Sequence, residues 1–287
     1  MRLNIQKTYK IFIGGKLLRT ESGRFYPINN KQGELIANMC LSSRKDFRNA
    51  VVVARKAQPG WAGKTAYNRS QILYRLAEML EARSATFMDE MMVLGMTKKE
   101  AQVEVSKSID TLVYYAGWCD KYTALFSSVN PTASAHFNFS VHEPMGVIAM
   151  IAPEDSPLHG FLSILAPTIA GGNTVIVLAS ENKATSAVSF AEVVQNSDVP
   201  GGVINILTGA HAELLSHMTS HKDVNALVVA RQGIITENLM AVTDSVKRMV
   251  DWSASWAEES PYRILALQEV KTTWLPVQES SSLGSGY

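Results

Sequence analysis

The chain has 287 residues, with 27 Lys plus Arg against 26 Asp plus Glu, so its net charge is +1. That balance leaves no basic field for nucleic acid or for an anionic membrane surface. Hydrophobic residues make up 46% and charged ones 18%, which excludes a disordered chain and provides for a sizeable core. The two cysteines, Cys40 and Cys119, lie far apart and match no metal or redox spacing, so a cytoplasmic compartment is expected.

From the N-terminus, the basic residues of Met1 to Gly15 come without a signal-type apolar stretch. Ile11 to Leu18 reads as a hairpin interrupted at Gly14-Gly15. The rest of the first third reads as helical. Ser42 and Ser43 are candidate caps for a helix carrying Phe47, Ala50, Val51 and Ala54, with Pro59-Gly60 as its stop. Ile72, Leu73, Leu76, Met79 and Leu80 form the stripe of a second helix. A third runs from about Lys99, with Val105, Ile109, Leu112, Val113 and Ala116 as its buried face, and Pro131 closes the helical section.

The middle of the chain alternates short apolar runs with helix-length segments. The runs are Gly146–Ala152, Thr174–Ser180, Val203–Thr208 and Ala226–Ala230, with a weaker fifth at Val246–Trp252. Apolar runs without alternation are buried on both faces, which predicts an α/β fold with a doubly wound, five-stranded parallel sheet. Its ligand crevice is expected outside the carboxyl ends of the strands. Phe161–Ser180 has the length of a membrane span, but Pro167 and Gly171-Gly172-Asn173 divide it into helix, turn and strand. His136–His142 and Leu265–Val277 alternate with period two and read as antiparallel ribbons outside the sheet, and Glu279–Tyr287 as a disordered tail.

Most local signals for chemistry favour bland readings. Gly60-Trp61-Ala62-Gly63-Lys64-Thr65 looks like the end of a phosphate loop, but Gln58 stands where its first Gly belongs and a helix precedes it. Glu213, His217 and His221 share a metal only if one helix carries all three, and Ser220, Lys222 and Asp223 read as the loop that ends it. There is no Gly-x-Ser-x-Gly elbow, and the first parallel strand leads into Pro153-Glu154-Asp155-Ser156-Pro157 rather than Gly-x-Gly-x-x-Gly.

Six segments, in order, resemble the aldehyde dehydrogenase superfamily. They are Phe12-Ile13-Gly14-Gly15-Lys16, Asn68-Arg69 with Leu73-Tyr74-Arg75-Leu76-Ala77, and Tyr114-Tyr115-Ala116-Gly117-Trp118. His142-Glu143-Pro144-Met145-Gly146-Val147-Ile148, Gly172-Asn173-Thr174-Val175 and Pro200-Gly201-Gly202-Val203-Ile204-Asn205 follow. Glu269-Val270-Lys271-Thr272 with Trp274 resembles the family's C-terminal oligomerisation strand. The resemblance implies a Rossmann-like core over 146–253 preceded by a helical part over 1–131. It also implies oligomerisation strands at 132–145 and 262–278, before the tail at 279–287.

The family's functional positions depart one after another. Where it carries Pro-Trp-Asn-Phe-Pro, with the Asn holding the oxyanion, this chain has Glu154, Asp155 and Ser156 in place of Trp, Asn and Phe. A carboxylate at Asp155 repels a developing oxyanion. The ribose-binding Lys aligns with Leu178, the ribose-binding Glu is kept as Glu181, and the pyrophosphate turn reads Val229-Ala230-Arg231-Gln232. The general base aligns near Trp252, beside Asp251. After Trp252 the chain passes almost directly to the C-terminal strand, so the resemblance implies a deleted catalytic domain, and no Cys follows Cys119.

No catalytic residue is therefore assigned. NAD(P) is expected to be absent or weakly held, through Pro153, Ser180, Glu181 and Arg231. The nearest pattern is the truncated second module of family 16 aldehyde dehydrogenases. It implies a homo-oligomer or association with a full-length dehydrogenase module, either as a separate subunit or as part of a longer protein. The rival expectation is an NAD(P)-dependent oxidoreductase with an altered nucleotide site, using Asp155, Glu154 or His159 as acid or base. A third is a functionless fragment with exposed apolar surface.

Overall fold

A computed structural model describes residues 6–234 and 246–277. The five expected parallel strands are present as β8 (Val147–Ile151), β9 (Thr174–Leu178), β10 (Ile204–Leu207), β11 (Ala226–Val229) and β12 (Arg248–Asp251). They lie in the order β12-β11-β8-β9-β10, so the chain leaves β8 in one direction and returns on its other side. The switch point falls between β8 and β11. The hairpin β2 (Ile11–Ile13) and β3 (Lys16–Leu18) pairs antiparallel onto β10 and widens the sheet to seven strands.

Two-sided burial explains the apolar runs. Ile148, Met150, Val175 and Val177 belong to one core cluster, while Val147, Ala149, Ile151, Ile176 and Leu178 belong to another. The first cluster also holds apolar residues of α2 (Ala66–Glu81), α4 (Lys98–Trp118), α6 (His159–Ala170) and α7 (Thr185–Gln195). The second holds those of α1 (Arg44–Ala62) and α8 (His211–Ser220). The span-length segment is α6, a turn and β9, and among the described residues no helix is long and apolar enough to cross a membrane.

The N-terminal third differs from its helical reading. Residues 8–40 form strands only: the hairpin above, and β1 (Thr8–Tyr9), β4 (Phe25–Asn29) and β5 (Leu35–Cys40) in a separate sheet. These strands are too short to show a period. Helix α3 (Ser84–Val93) was not expected, and Val113, placed on the buried face of α4, is exposed. The last helix before Pro131, α5 (Tyr122–Phe126), ends early enough for β6 (Ser128–Asn130) to precede the proline.

Helix α1 starts at Ser43, in a capping box with Asp46, and runs through Pro59 instead of stopping there. The extra turn buries Trp61, whose Nε1 donates to the Ile169 carbonyl at 3.0 Å. Burying a large apolar side chain is worth about 1.5–3 kcal/mol, the same size as the helical proline penalty of roughly 3 kcal/mol.

The two alternating segments pair with each other. Strand β7 (His136–Pro144) runs antiparallel to β13 (Gln268–Pro276), and β6 adds on the far side of β7. Asn173, fully buried, ties this ribbon sheet to the core. Its Oδ1 accepts from the Gly146 amide at 2.8 Å and its Nδ2 donates to the Leu267 carbonyl at 3.0 Å. Truncation as Asn173→Ala orphans both backbone groups and is expected to lower stability by about 2–5 kcal/mol, read as a lower urea midpoint at unchanged slope.

Candidate functional site

At the switch point, the loops after β8 and β11 border a cleft of about 280 Å³. Pro153, Glu154 and Asp155 line it from one side, Arg231 and Gln232 from the other, and Trp256 closes its end. Pro153 is buried at the start of the turn. Asp155 is exposed, and its carbonyl accepts from Lys183 Nζ at 3.2 Å.

The Glu154 carboxylate turns toward the loop after β9. Its Oε2 accepts the Glu181 amide at 2.9 Å, and its Oε1 accepts the Asn182 amide and Asn182 Nδ2, each at 2.8 Å. Arg231 Nη1 lies 3.1 Å from the same carboxylate and 3.5 Å from Glu181. Glu181 also meets His211 Nδ1 at 3.2 Å. Burial pushes the Glu154 carboxyl up, but the Asn182 and Glu181 amides and the Arg231 guanidinium outweigh it and hold it below the usual carboxylate range. Ser180, buried, completes the turn by donating to the Glu154 carbonyl at 3.4 Å and accepting the Lys183 amide at 3.1 Å.

A second carboxylate occupies the start of α6. Glu104 Oε1, from α4, accepts Ser156 Oγ at 2.7 Å and the Leu158 and His159 amides at 3.1 and 3.0 Å. A negative group there meets unpaired amides and the positive end of the helix dipole. Ser156 Oγ in turn accepts the Gly160 amide at 2.8 Å.

The structure thus brings together Pro153, Ser180, Glu181 and Arg231, the four residues expected at the crevice. Sequence reading missed Glu104, Asn182 and His211, whose roles arise only when separate elements meet. Arg231, expected to reach toward a phosphate, contacts two carboxylates instead.

The remaining candidates are placed away from chemistry. Burial pushes the Cys119 thiol up to about 12, with Arg69 opposing, and its Sγ donates to the Tyr115 carbonyl at 3.4 Å. Cys40 is buried in β5. Trp252 is buried and carries the Arg263 guanidinium 4.5 Å over its ring, so no carboxylate stands at that position, while Asp251 is exposed and accepts the Ser253 amide at 2.8 Å. His159 is buried edge-on to Trp256 at 5.5 Å, and burial lowers its pKa. Gly60–Thr65 is the junction of α1 and α2, with Thr65 capping α2. Helix α8 ends at Ser220, before His221, and among the described residues no three His, Cys, Asp or Glu side chains gather as a metal site.

Between Asp251 and Gln268 the chain forms a packed connection with one helical turn, Tyr262–Leu265. Trp252, Ile264 and Leu267 join the core, and Thr111 Oγ1 donates to Glu259 Oε1 at 2.7 Å. The connection covers α4 and α6 with side chains of its own.

Comparison with known proteins agrees with this architecture. The description "Aldehyde dehydrogenase family" matches residues 18–250. Over 227 residues the chain is 31% identical to benzaldehyde dehydrogenase, mitochondrial, of Antirrhinum majus, covering 76% of this chain and 41% of that protein. It is 30% identical over 232 residues to cytosolic 10-formyltetrahydrofolate dehydrogenase of Mus musculus, covering 79% of this chain and 26% of that protein. An NAD+ complex of aldehyde dehydrogenase from Bacillus cereus superposes with a TM-score of 0.81 at 23% identity, covering 85% of this chain and 50% of that one. The chain therefore spans half or less of the length of these relatives, and within that span it belongs to the aldehyde dehydrogenase family.

Proposed function

We propose that this chain is a non-catalytic aldehyde dehydrogenase-like module that acts by associating with another copy or with a full-length dehydrogenase. The observation that carries the reading is the Glu154 carboxylate, which takes the amides of Glu181 and Asn182 and the charge of Arg231 for itself. A dinucleotide pyrophosphate needs such donors free, yet the crevice presents Glu154, Asp155 and Glu181 against Arg231 and Lys183. These residues do not fit a dianion. Glu104 holds the adjoining helix start in the same way. A buried thiol, a carboxylate at Asp155 and an indole at Trp252 supply neither nucleophile, oxyanion donor nor base.

The associating surface in this reading is the ribbon sheet. Its register puts Phe137, Phe139 and Val129 on one face with Leu275 and Thr273. Val129, Phe137 and Leu275 are 70%, 45% and 48% exposed, an apolar face of the kind that marks interaction sites.

Calorimetric titration of NAD and NADP is expected to give no saturable heat below about 1 mM, and mass measurement in solution an oligomer or a complex with an added full-length dehydrogenase. Micromolar nucleotide binding, or NAD-dependent aldehyde oxidation at ordinary turnover, supports the oxidoreductase reading instead. Glu154→Gln removes the internal anion and is expected to cost about 1–2 kcal/mol of stability at neutral pH. Because the Glu154 carboxyl titrates below its usual range, its contribution is complete above that range and is lost as pH falls through its folded value. Wild type and variant are therefore expected to converge in urea unfolding at acid pH.

A further inference from the structure

On the face of the sheet that α1 and α8 cover, these two helices enclose a pocket of about 180 Å³. Arg44, Phe47 and Arg48 line it from α1, and His217, Ser220 and His221 from the end of α8. A liquid water takes about 30 Å³, so the space suits one tetrahedral oxyanion with a short carbon tail. None of the lining residues is acidic, and neither arginine has an ion pair among the described residues.

The carboxylates on the two helices are already engaged. Asp46 of α1 accepts the Ser43 amide at 2.8 Å and the Glu21 amide at 3.0 Å, and Glu213 of α8 pairs with Arg24 at 2.8 Å. Asp223 lies beyond the pocket, and its amide donates to His221 Nδ1 at 3.2 Å. That bond leaves Nε2 of His221 to carry the ring proton in the neutral imidazole. Helix-end carbonyls of α8 are taken as well: Ser216 accepts Thr219 Oγ1 and Ser220 Oγ, and His217 accepts the His221 amide. Phe47, buried and edge-on to His221 at 5.9 Å, fixes the imidazole in place. The result is two guanidinium forks and two imidazoles around one small volume, in contrast to the carboxylate-rich crevice.

We propose that this pocket binds a phosphoryl group, with Arg44 and Arg48 as the charge-bearing forks and His217 and His221 completing its hydrogen bonds. Arginine forks match phosphate oxygens bidentately, and each charge-assisted bond contributes roughly a factor of ten to a hundred in affinity. The chemistry is shared by free phosphate and by small phosphomonoesters, and the pocket has room for either.

The test is a titration of the intact protein with inorganic phosphate and, separately, with glycerol 3-phosphate, followed by amide NMR shifts at constant ionic strength. Saturable shifts at Arg44, Arg48, His217 and Ser220 are expected, weakened at least tenfold in R44Q/R48Q and abolished in S220D. All three substituted positions are exposed, so the fold is expected to persist and is checked by the thermal midpoint. Tighter binding of glycerol 3-phosphate identifies a phosphomonoester as the ligand, and equal binding identifies free phosphate. Shifts that do not saturate, that chloride reproduces, or that survive in R44Q/R48Q overturn the proposal.

Discussion

One carboxylate organises the ligand edge of this sheet. Glu154, on the loop after β8, meets four donors: two amides and a side-chain amide from the loop after β9, and a guanidinium from the loop after β11. A half-buried anion is costly unless it is paired and hydrogen-bonded, and here it is both. Three loops that ordinarily close around a ligand thus close around a residue of the chain. Glu181 and Arg231, which read from sequence as a surviving ribose contact and a replacement phosphate contact, become members of the same internal network.

The second constraint is the passage from the last parallel strand to the ribbon. In the family, the resemblance implies a whole domain between them, and here about fifteen residues do the work. Trp252 continues the ladder by donating its amide to the Val229 carbonyl at 2.8 Å, Arg263 covers the indole, and Ile264 and Leu267 are fully buried. A bare truncation leaves an apolar scar at the point of removal. This connection instead supplies its own core residues, which argues against a functionless fragment. The ribbon sheet carries exposed apolar side chains that share a face, Val129, Phe137 and Leu275.

What the sequence made legible follows from the same physics. Strands buried on both faces announce themselves as uninterrupted apolar runs, and all five were placed to within two residues. Before residue 41 the hairpin of β2 and β3 was legible from its Gly14-Gly15 turn, whereas β1, β4 and β5 were not, because two to six residues of mixed exposure carry no period. Pro59 misled because its penalty is local while the burial of Trp61 that offsets it is tertiary. At the crevice, the substitutions at Glu154, Asp155 and Arg231 were visible as departures from a pattern. Their pairing was not, since it needs three loops far apart in sequence to converge. Glu104 gave no signal at all: a glutamate on an exposed-looking helix stripe becomes a helix cap only once α4 lies against α6.

The crevice and the pocket between α1 and α8 are electrostatic opposites, although the chain as a whole is close to neutral. At the carboxyl edge, acidic side chains have moved into places that α/β proteins leave for ligand anions, and they have satisfied the amides there. At the α1–α8 pocket, Asp46 and Glu213 are drawn away by Ser43, Glu21 and Arg24, so Arg44 and Arg48 face the imidazoles without a counter-charge among the described residues. A net charge of +1 conceals this separation, because overall charge reports only the sum. Anion affinity in this fold is therefore decided by which amides and guanidinium groups the chain has left unspent, and the guanidinium groups of Arg44 and Arg48 lie at the α1–α8 pocket, not at the crevice.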